Sequence, residues 1–192
     1  MTTEQITIGH CLFDTAIGAC GVAWSARGLK ALQLPQANRA ATERRLVAKS
    51  QSSGAGEPPA WLESVIADVQ RYLDGERVDF AAVAVDLDAV APFHRKIYAA
   101  LREVTWGRTT TYGALAREAG SADWESTREV GQAMARNPAP IVIPCHRVLA
   151  AGNKPGGFSA YGGVLTKERL LSLEGVRLDG VRPRETPRLP GL

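Results

Sequence analysis

Three prolines within seven residues, Pro138, Pro140 and Pro144, restrict this chain more than any other feature. Proline lacks a backbone N–H and fixes φ, so no helix can pass through this stretch and no central strand can absorb it. The helical pattern of Ser126–Asn137 must end at Pro138, leaving Ile141-Val-Ile143 as a short apolar run with the composition of a buried strand. The backbone breaks again at Pro144, directly before Cys145-His146-Arg147-Val148. Neighbouring side chains of a strand point to opposite faces, so thiol and imidazole can meet only through a turn or a bridging water. A thiol becomes a useful nucleophile only as thiolate, and from an ordinary pKa of about 8.5 it needs a base or a shift. His146 is the base at hand. The alternative reading of the dipeptide is a small buried apolar residue beside a satisfied imidazole.

The rest of the chain, 192 residues in all, has a globular composition, with 45% apolar and 22% charged residues. No window approaches the roughly 18–20 apolar residues of a membrane span, and Met1-Thr-Thr-Glu-Gln-Ile lacks the layout of a secretory signal, so the cytoplasm is expected. Cys11, Cys20 and Cys145 are an odd number and predict reduced thiols. Residues 1–91 hold 8 Lys/Arg against 11 Asp/Glu, net −3, while 92–192 hold 15 against 9, net +6. The second half is therefore the candidate polyanion binder, although such a charge also suits a plain solvated surface.

Residues 1–88 read as an α/β domain. Thr7–Phe13, Ala19–Ser25 and Leu29–Leu34 form a small antiparallel meander, Ala40–Lys49 is helical, and Gln51–Pro59 is a flexible loop. Trp61, Leu62, Val65, Ile66, Val69, Tyr72 and Leu73 recur at helical spacing up to Asp74-Gly75, and Ala82–Leu87 alternates like one more strand. From Pro92 the pattern becomes mostly α. Phe93, Ile97, Tyr98 and Leu101 mark a helix ended by Trp106-Gly107, followed by Ala114–Ala119 and Ser126–Asn137 across a turn containing Gly120. Two short helices so joined suggest a helix-turn-helix, or ordinary packing. The second has small side chains at Gly131, Ala133 and Ala135, which lets it approach a backbone or groove closely.

Arg128-Glu-Val-Gly-Gln-Ala-Met-Ala-Arg-Asn-Pro-Ala-Pro-Ile-Val-Ile-Pro-Cys-His-Arg-Val148 resembles the signature of the O6-alkylguanine-DNA alkyltransferases, also called methylated-DNA–protein-cysteine methyltransferases. Thr111-Tyr112-Gly113, Gly156-Gly-Phe-Ser159 and Lys167–Gly175 extend the resemblance over 92–176, leaving 1–88 similar in layout only and 177–192 as an Arg- and Pro-rich tail. The resemblance implies a single-turnover repair protein without cofactor, acting as a monomer on double-stranded DNA that contains O6-alkylguanine. In it Cys145 keeps the alkyl group, His146 takes the thiol proton through a water, Glu174 orients the imidazole and Asn137 holds the site together. The target guanine is flipped out of the stack. Arg128 takes its place, Tyr112 pushes on its phosphate, and the slim helix lies in the minor groove with Gly113, Ser121, Gly131, Ala135, Arg136 and His94 on the DNA side. Arg95 and Lys96 add phosphate attraction. Tyr112, Pro140, Val148, Phe158, Ser159 and Tyr161 line the alkyl pocket, where Phe158-Ser159 and Tyr161-Gly162 compete as the aromatic wall; Phe158-Ser159 is the preferred pair.

Two departures from the family pattern stand out. Ser121-Ala-Asp-Trp-Glu-Ser-Thr127 is longer, bulkier and more acidic than the usual link, with Trp124 readable as a stacking residue or a core anchor. His10, Cys11, Cys20 and His94 do not have the spacing of the zinc site some relatives carry, so no metal is expected. Two other classes remain: a module that marks damage without repairing it, against which Cys145 argues, and a Cys-His-Glu hydrolase, which would turn over.

Overall fold

The computed structural model describes residues 8–120 and 124–178; Ser121, Asp123, the Trp124 side chain and the tail beyond 178 lie outside the described residues. The meander forms as expected: β1 (Gly9–Thr15), β2 (Gly18–Ser25) and β3 (Gly28–Gln33) pair antiparallel, with Phe13 opposite Cys20 and Val22 opposite Leu32. Thr15 tightens the first turn by donating to the Gly18 carbonyl at 2.6 Å. Gly28 has φ +133°, and a Cβ there would meet the Ala84 carbonyl oxygen at 2.5 Å, so the position requires glycine.

Helix α1 (Arg39–Ser50) starts on Asn38, whose side chain accepts from the Ala41 N–H, and packs across the meander. The sheet differs from the expected antiparallel one. Within the segment read as a loop, β4 (Gly54–Ala55) adds to the outer edge of β1 in parallel, making a mixed four-stranded sheet ordered β3-β2-β1-β4. Helix α2 (Ala60–Leu73) buries Leu62, Val65, Val69, Tyr72 and Leu73, while Trp61, read as part of that face, is 42% exposed. Ala82–Leu87 is not a strand. It makes one bridge, Leu29 to Val85, and of its carbonyls that of Val83, like those of Phe80 and Ala81 just before the run, is taken by the Arg102 guanidinium.

In the second half α3 (Pro92–Arg102) ends before Trp106-Gly107, its last turn tightened by Glu103 and Val104 N–H groups bonded three residues back. A two-residue strand, β5 (Thr110–Thr111), leads into α4 (Tyr112–Glu118), and α5 (Trp124–Ala135) follows. Helix α5 begins two residues earlier than the pattern implied, so Trp124 and Glu125 belong to its first turn rather than to a loop. Glu125 there faces the positive end of the helix dipole favourably. The three helices pack on one another through Ile97, Leu101, Leu115, Val130 and Ala133, and the Tyr98 hydroxyl donates to the Ala133 carbonyl at 2.7 Å.

The Ile141–Ile143 run is buried but is not a strand; it closes on itself by a bridge between Pro140 and Ile143. Pro138 and Pro140 have no N–H to give a ladder, and Ile141 sits at φ +76°, a strained position for a β-branched residue. A 3₁₀ turn, Cys145–Arg147, then opens into β6 (Val148–Leu149), which pairs in parallel with β5, Thr110 with Val148 and Thr111 with Leu149. Helix α6 (Val164–Leu173) completes the chain described. One apolar cluster runs from Phe13 through Tyr72 and Ile97 to Leu170 and so joins both halves. Among the described residues no helix is long and apolar enough to cross a membrane.

Candidate active site

Pro144 does break the backbone as its chemistry demands. The Arg147 N–H bonds the Pro144 carbonyl at 2.9 Å, and this turn puts Cys145, His146 and Arg147 on consecutive corners, all buried. Asn137, at the end of α5, staples the preceding arc: its Nδ2 donates to the Ile143 carbonyl at 2.8 Å and its Oδ1 accepts from the Ala139 N–H at 3.0 Å. This bond pair holds the strained Ile141 conformation in place.

His146 has no exposed surface, and its two nitrogens differ. Nε2 lies 2.8 Å from Glu174 Oε1 at the end of α6, and 3.1 Å from the Tyr72 hydroxyl. Nδ1 is buried without a hydrogen-bond partner among the described residues. Glu174 is surrounded by donors: the Tyr72 hydroxyl at 2.8 Å, Arg147 Nε at 2.9 Å and Nη2 at 2.9 Å, and the Gly107 N–H at 3.2 Å. Burial raises the pKa of this carboxylate, but the hydrogen bonds from His146 and Arg147 and the guanidinium charge outweigh it and hold the group at about 2. Burial pushes the His146 pKa down more strongly than Glu174 pulls it up, and the Arg147 and Lys167 charges add to the lowering. The imidazole is therefore neutral at pH 7 beside an ionised carboxylate, the state a general base requires.

The three thiols are not equivalent. Burial raises the pKa of all of them; for Cys20 it reaches about 12, and for Cys11 burial is the one cause. At Cys145 burial is opposed by the Asn137 side chain and by the positive charges of Lys49 and Lys167. Lys167 is wholly buried and donates to the Val148 carbonyl, with its own pKa lowered to about 8 by burial. Cys145 is thus the thiol with a neutral imidazole beside it and cations to stabilise its anion.

Of the other residues singled out from sequence, Tyr112 is half-buried, its ring close enough that a Cβ on Gly156 would touch it at 3.6 Å. Burial and the Cys145 charge raise its pKa. Pro140 and Val148 are buried, Phe158 packs half-buried on the core, Ser159 is exposed and Tyr161 is 54% exposed. Arg128 and Ala135 are exposed on α5 and Arg136 just beyond its end, Gly113 is half-buried, and half-buried Gly131 has open space around its Cβ position. His94 is placed differently from expectation. It is 4% exposed and its Nε2 binds Glu129 at 2.8 Å, fastening α3 to α5, so it does not offer a surface contact to a phosphate. Tyr72, Arg147 and Lys167 were not singled out from sequence. The signals were a tyrosine on a buried helix face, whose hydroxyl must find a partner, and charged residues inside the signature stretches.

Two open clefts, of about 600 and 470 Å³, lie in the N-terminal half; Trp24, Trp61 and Pro59 line the first, His10, Cys11 and Glu43 the second, and neither includes Cys145.

Residues 92–176 match the family model described as 6-O-methylguanine DNA methyltransferase, DNA binding domain. A methylated-DNA–protein-cysteine methyltransferase of Methanothermobacter thermautotrophicus is 33% identical over 83% of this chain and 81% of its own length. A DNA base-flipping protein of Thermus thermophilus is 40% identical over 56% of this chain and 69% of its own. Mycobacterium tuberculosis OGT, solved in complex with DNA, superposes with a TM-score of 0.69 at 29% identity, covering 86% of this chain and 92% of that one. With the buried Cys-His-Glu arrangement set out above, this extent of likeness means that the chain belongs to the methylated-DNA–protein-cysteine methyltransferase family.

Proposed function

We propose that this chain repairs DNA directly, transferring the alkyl group from O6 of guanine to Cys145 in one irreversible event. The observation that carries the reading is the asymmetry of His146, the residue that follows Cys145 in the same turn: Nε2 is fixed by an ionised carboxylate while Nδ1 is buried with no hydrogen-bond partner among the described residues. His146 accepts the thiol proton through a water. The thiolate sulfur then forms a bond to the alkyl carbon as the bond from that carbon to O6 breaks, and the electron pair leaves with the guanine. The guanine takes up a proton, and the thioether on the protein is too stable for water to reverse.

The target atom lies within a duplex, so the base must leave the stack, at an expense of a few kcal/mol. Helices α4 and α5 act as a helix-turn-helix whose slim second member enters the minor groove, where the exposed Arg128 fills the vacated position and Gly131 and Ala135 permit close approach. Tyr112 presses on the target phosphate, and the exposed Arg95, Lys96 and Arg136 supply salt-sensitive attraction. Half-buried Phe158, rather than the more exposed Tyr161, forms the aromatic wall of the alkyl pocket. The protein works as a monomer, and a reduced thiol nucleophile suits the cytoplasm.

The test is intact-mass measurement after incubation with duplex DNA carrying O6-methylguanine. One methyl group per protein molecule on Cys145, then no further activity, is expected, with Cys145→Ser inert but still binding DNA. An unchanged mass would indicate a protein that flips and marks damage; repeated turnover would indicate a hydrolase; methyl on Cys11 or Cys20 would reject Cys145 as acceptor.

A further inference from the structure

Tyr72 belongs to α2, in the half of the chain that carries no nucleophile, yet it is wholly buried against the reactive turn. Its ring stands edge-on to Trp106 at 5.3 Å and Phe80 at 5.9 Å, with the His146 ring at 6.2 Å. A phenylalanine would fill this place equally well. Burying a hydroxyl is unfavourable unless the group is used. The hydroxyl has one proton, and it goes to Glu174 Oε1 at 2.8 Å. Its oxygen, 3.1 Å from His146 Nε2, then faces that nitrogen with a lone pair and can only accept from it. Nε2 is thereby flanked by two acceptors, Glu174 and Tyr72, whereas a proton on Nδ1 would have no acceptor among the described residues.

We propose that Tyr72 is a positioning residue for alkyl transfer: its hydroxyl, delivered from the N-terminal half, keeps the His146 proton on Nε2 and so leaves Nδ1 free to receive the proton of Cys145. This rests on the alkyl-transfer reading of Cys145 and His146. The charged and titratable groups around the imidazole are Tyr72 from α2, Glu174 and Lys167 from α6, and Cys145 and Arg147 on its own turn. Tyr72 moderates the strongest of these. By donating to Glu174 it reduces the pull of the carboxylate on the imidazole; without it the imidazolium is favoured, and the ring must lose that proton before it can serve as base. The N-terminal half thus tunes the chemistry as well as supporting the fold.

Tyr72→Phe keeps the ring and removes the hydroxyl. Single-turnover alkylation by free O6-benzylguanine, which bypasses DNA binding, should slow about three- to tenfold on the acid limb of the profile, below the pKa of the wild-type base, equivalent to an upward move of half to one unit, and converge with wild type near pH 8.5. A packing defect alone would lower the rate by the same factor at every pH, and that result, or an unaltered profile, overturns the proposal. Nitrogen-15 NMR of the wild-type protein gives an answer independent of the variant's folding: His146 should carry its proton on Nε2 across neutral pH, and a proton on Nδ1 refutes the assignment. Wild-type protein that takes up no benzyl group would instead refute the alkyl-transfer reading itself.

Discussion

His10 and His146 are built from similar parts and arranged for opposite ends. Each is a buried histidine with a carboxylate on Nε2, Glu43 at 3.3 Å for His10 and Glu174 at 2.8 Å for His146, and each has a hydroxyl close by. At His10 the hydroxyl of Ser52 lies 2.7 Å from Nδ1, so both ring nitrogens are engaged. Ser52 is also within bonding distance of the carbonyls of Ile8 and Gly54, and Glu43 is half exposed. The cluster pins the turn after α1 to β1. At His146 carboxylate and hydroxyl gather at the same nitrogen, leaving the other uncommitted, and Arg147 keeps the carboxylate ionised. The presence of His, carboxylate and hydroxyl together therefore says little. What separates a fastening from a base is whether a nitrogen is left to receive a proton.

The strongest challenge to this comparison is Glu174→Gln. The shape is kept, but a neutral amide leaves the Arg147 charge buried without its counterion, which should destabilise the fold by about 3–5 kcal/mol. Alkyl transfer to the folded fraction should fall about a hundredfold or more as His146 loses its ionised partner. Urea unfolding and single-turnover rates on free O6-benzylguanine measure the two effects separately, and a fast, stable variant would remove Glu174 from the machinery.

Arg128→Ala examines a residue remote from both histidines. It should slow transfer from duplex DNA about tenfold or more and leave the free-base rate unchanged, since only a duplex has a gap to fill. Equal losses on both substrates would assign Arg128 to the pocket or to folding.

The smallest effect belongs to His10→Gln, expected to lower stability by about 1 kcal/mol with no change in the alkylation rate. A rate loss beyond what unfolding explains would show that the fastening in the N-terminal half also reaches Cys145.

Residues that lie close in sequence to the nucleophile were legible in the sequence: Cys145, His146 and Asn137 sit within ten residues, and prolines dictate the turns between them. Tyr72 was not, because 74 residues separate it from His146 and its helical spacing accounts for its burial without mentioning its hydroxyl. The runs Ala82–Leu87 and Ile141–Ile143 read as strands since their composition is apolar and β-branched. Composition does not reveal that Arg102 claims the Val83 carbonyl of one, or that the other closes on itself beside its flanking prolines. Strand β4 was hidden for the opposite reason: Gly54 and Ala55 have no strand character of their own, and the edge of β1 supplies the template.

The chain between β6 and α6 is tied down at both ends. Ala150 pairs with Lys154 across a bridge, donating its N–H to the Lys154 carbonyl at 2.9 Å, while Thr166 donates to the Tyr161 carbonyl at 2.6 Å and Lys167 reaches back to Val148. The span from Pro155 to Ala160 is therefore an interchangeable panel in a fixed frame. Its length and bulk can be altered while the nucleophile, its base and their partners stay in register, so the range of adducts admitted and the readiness to react with them can evolve, or be engineered, along separate routes.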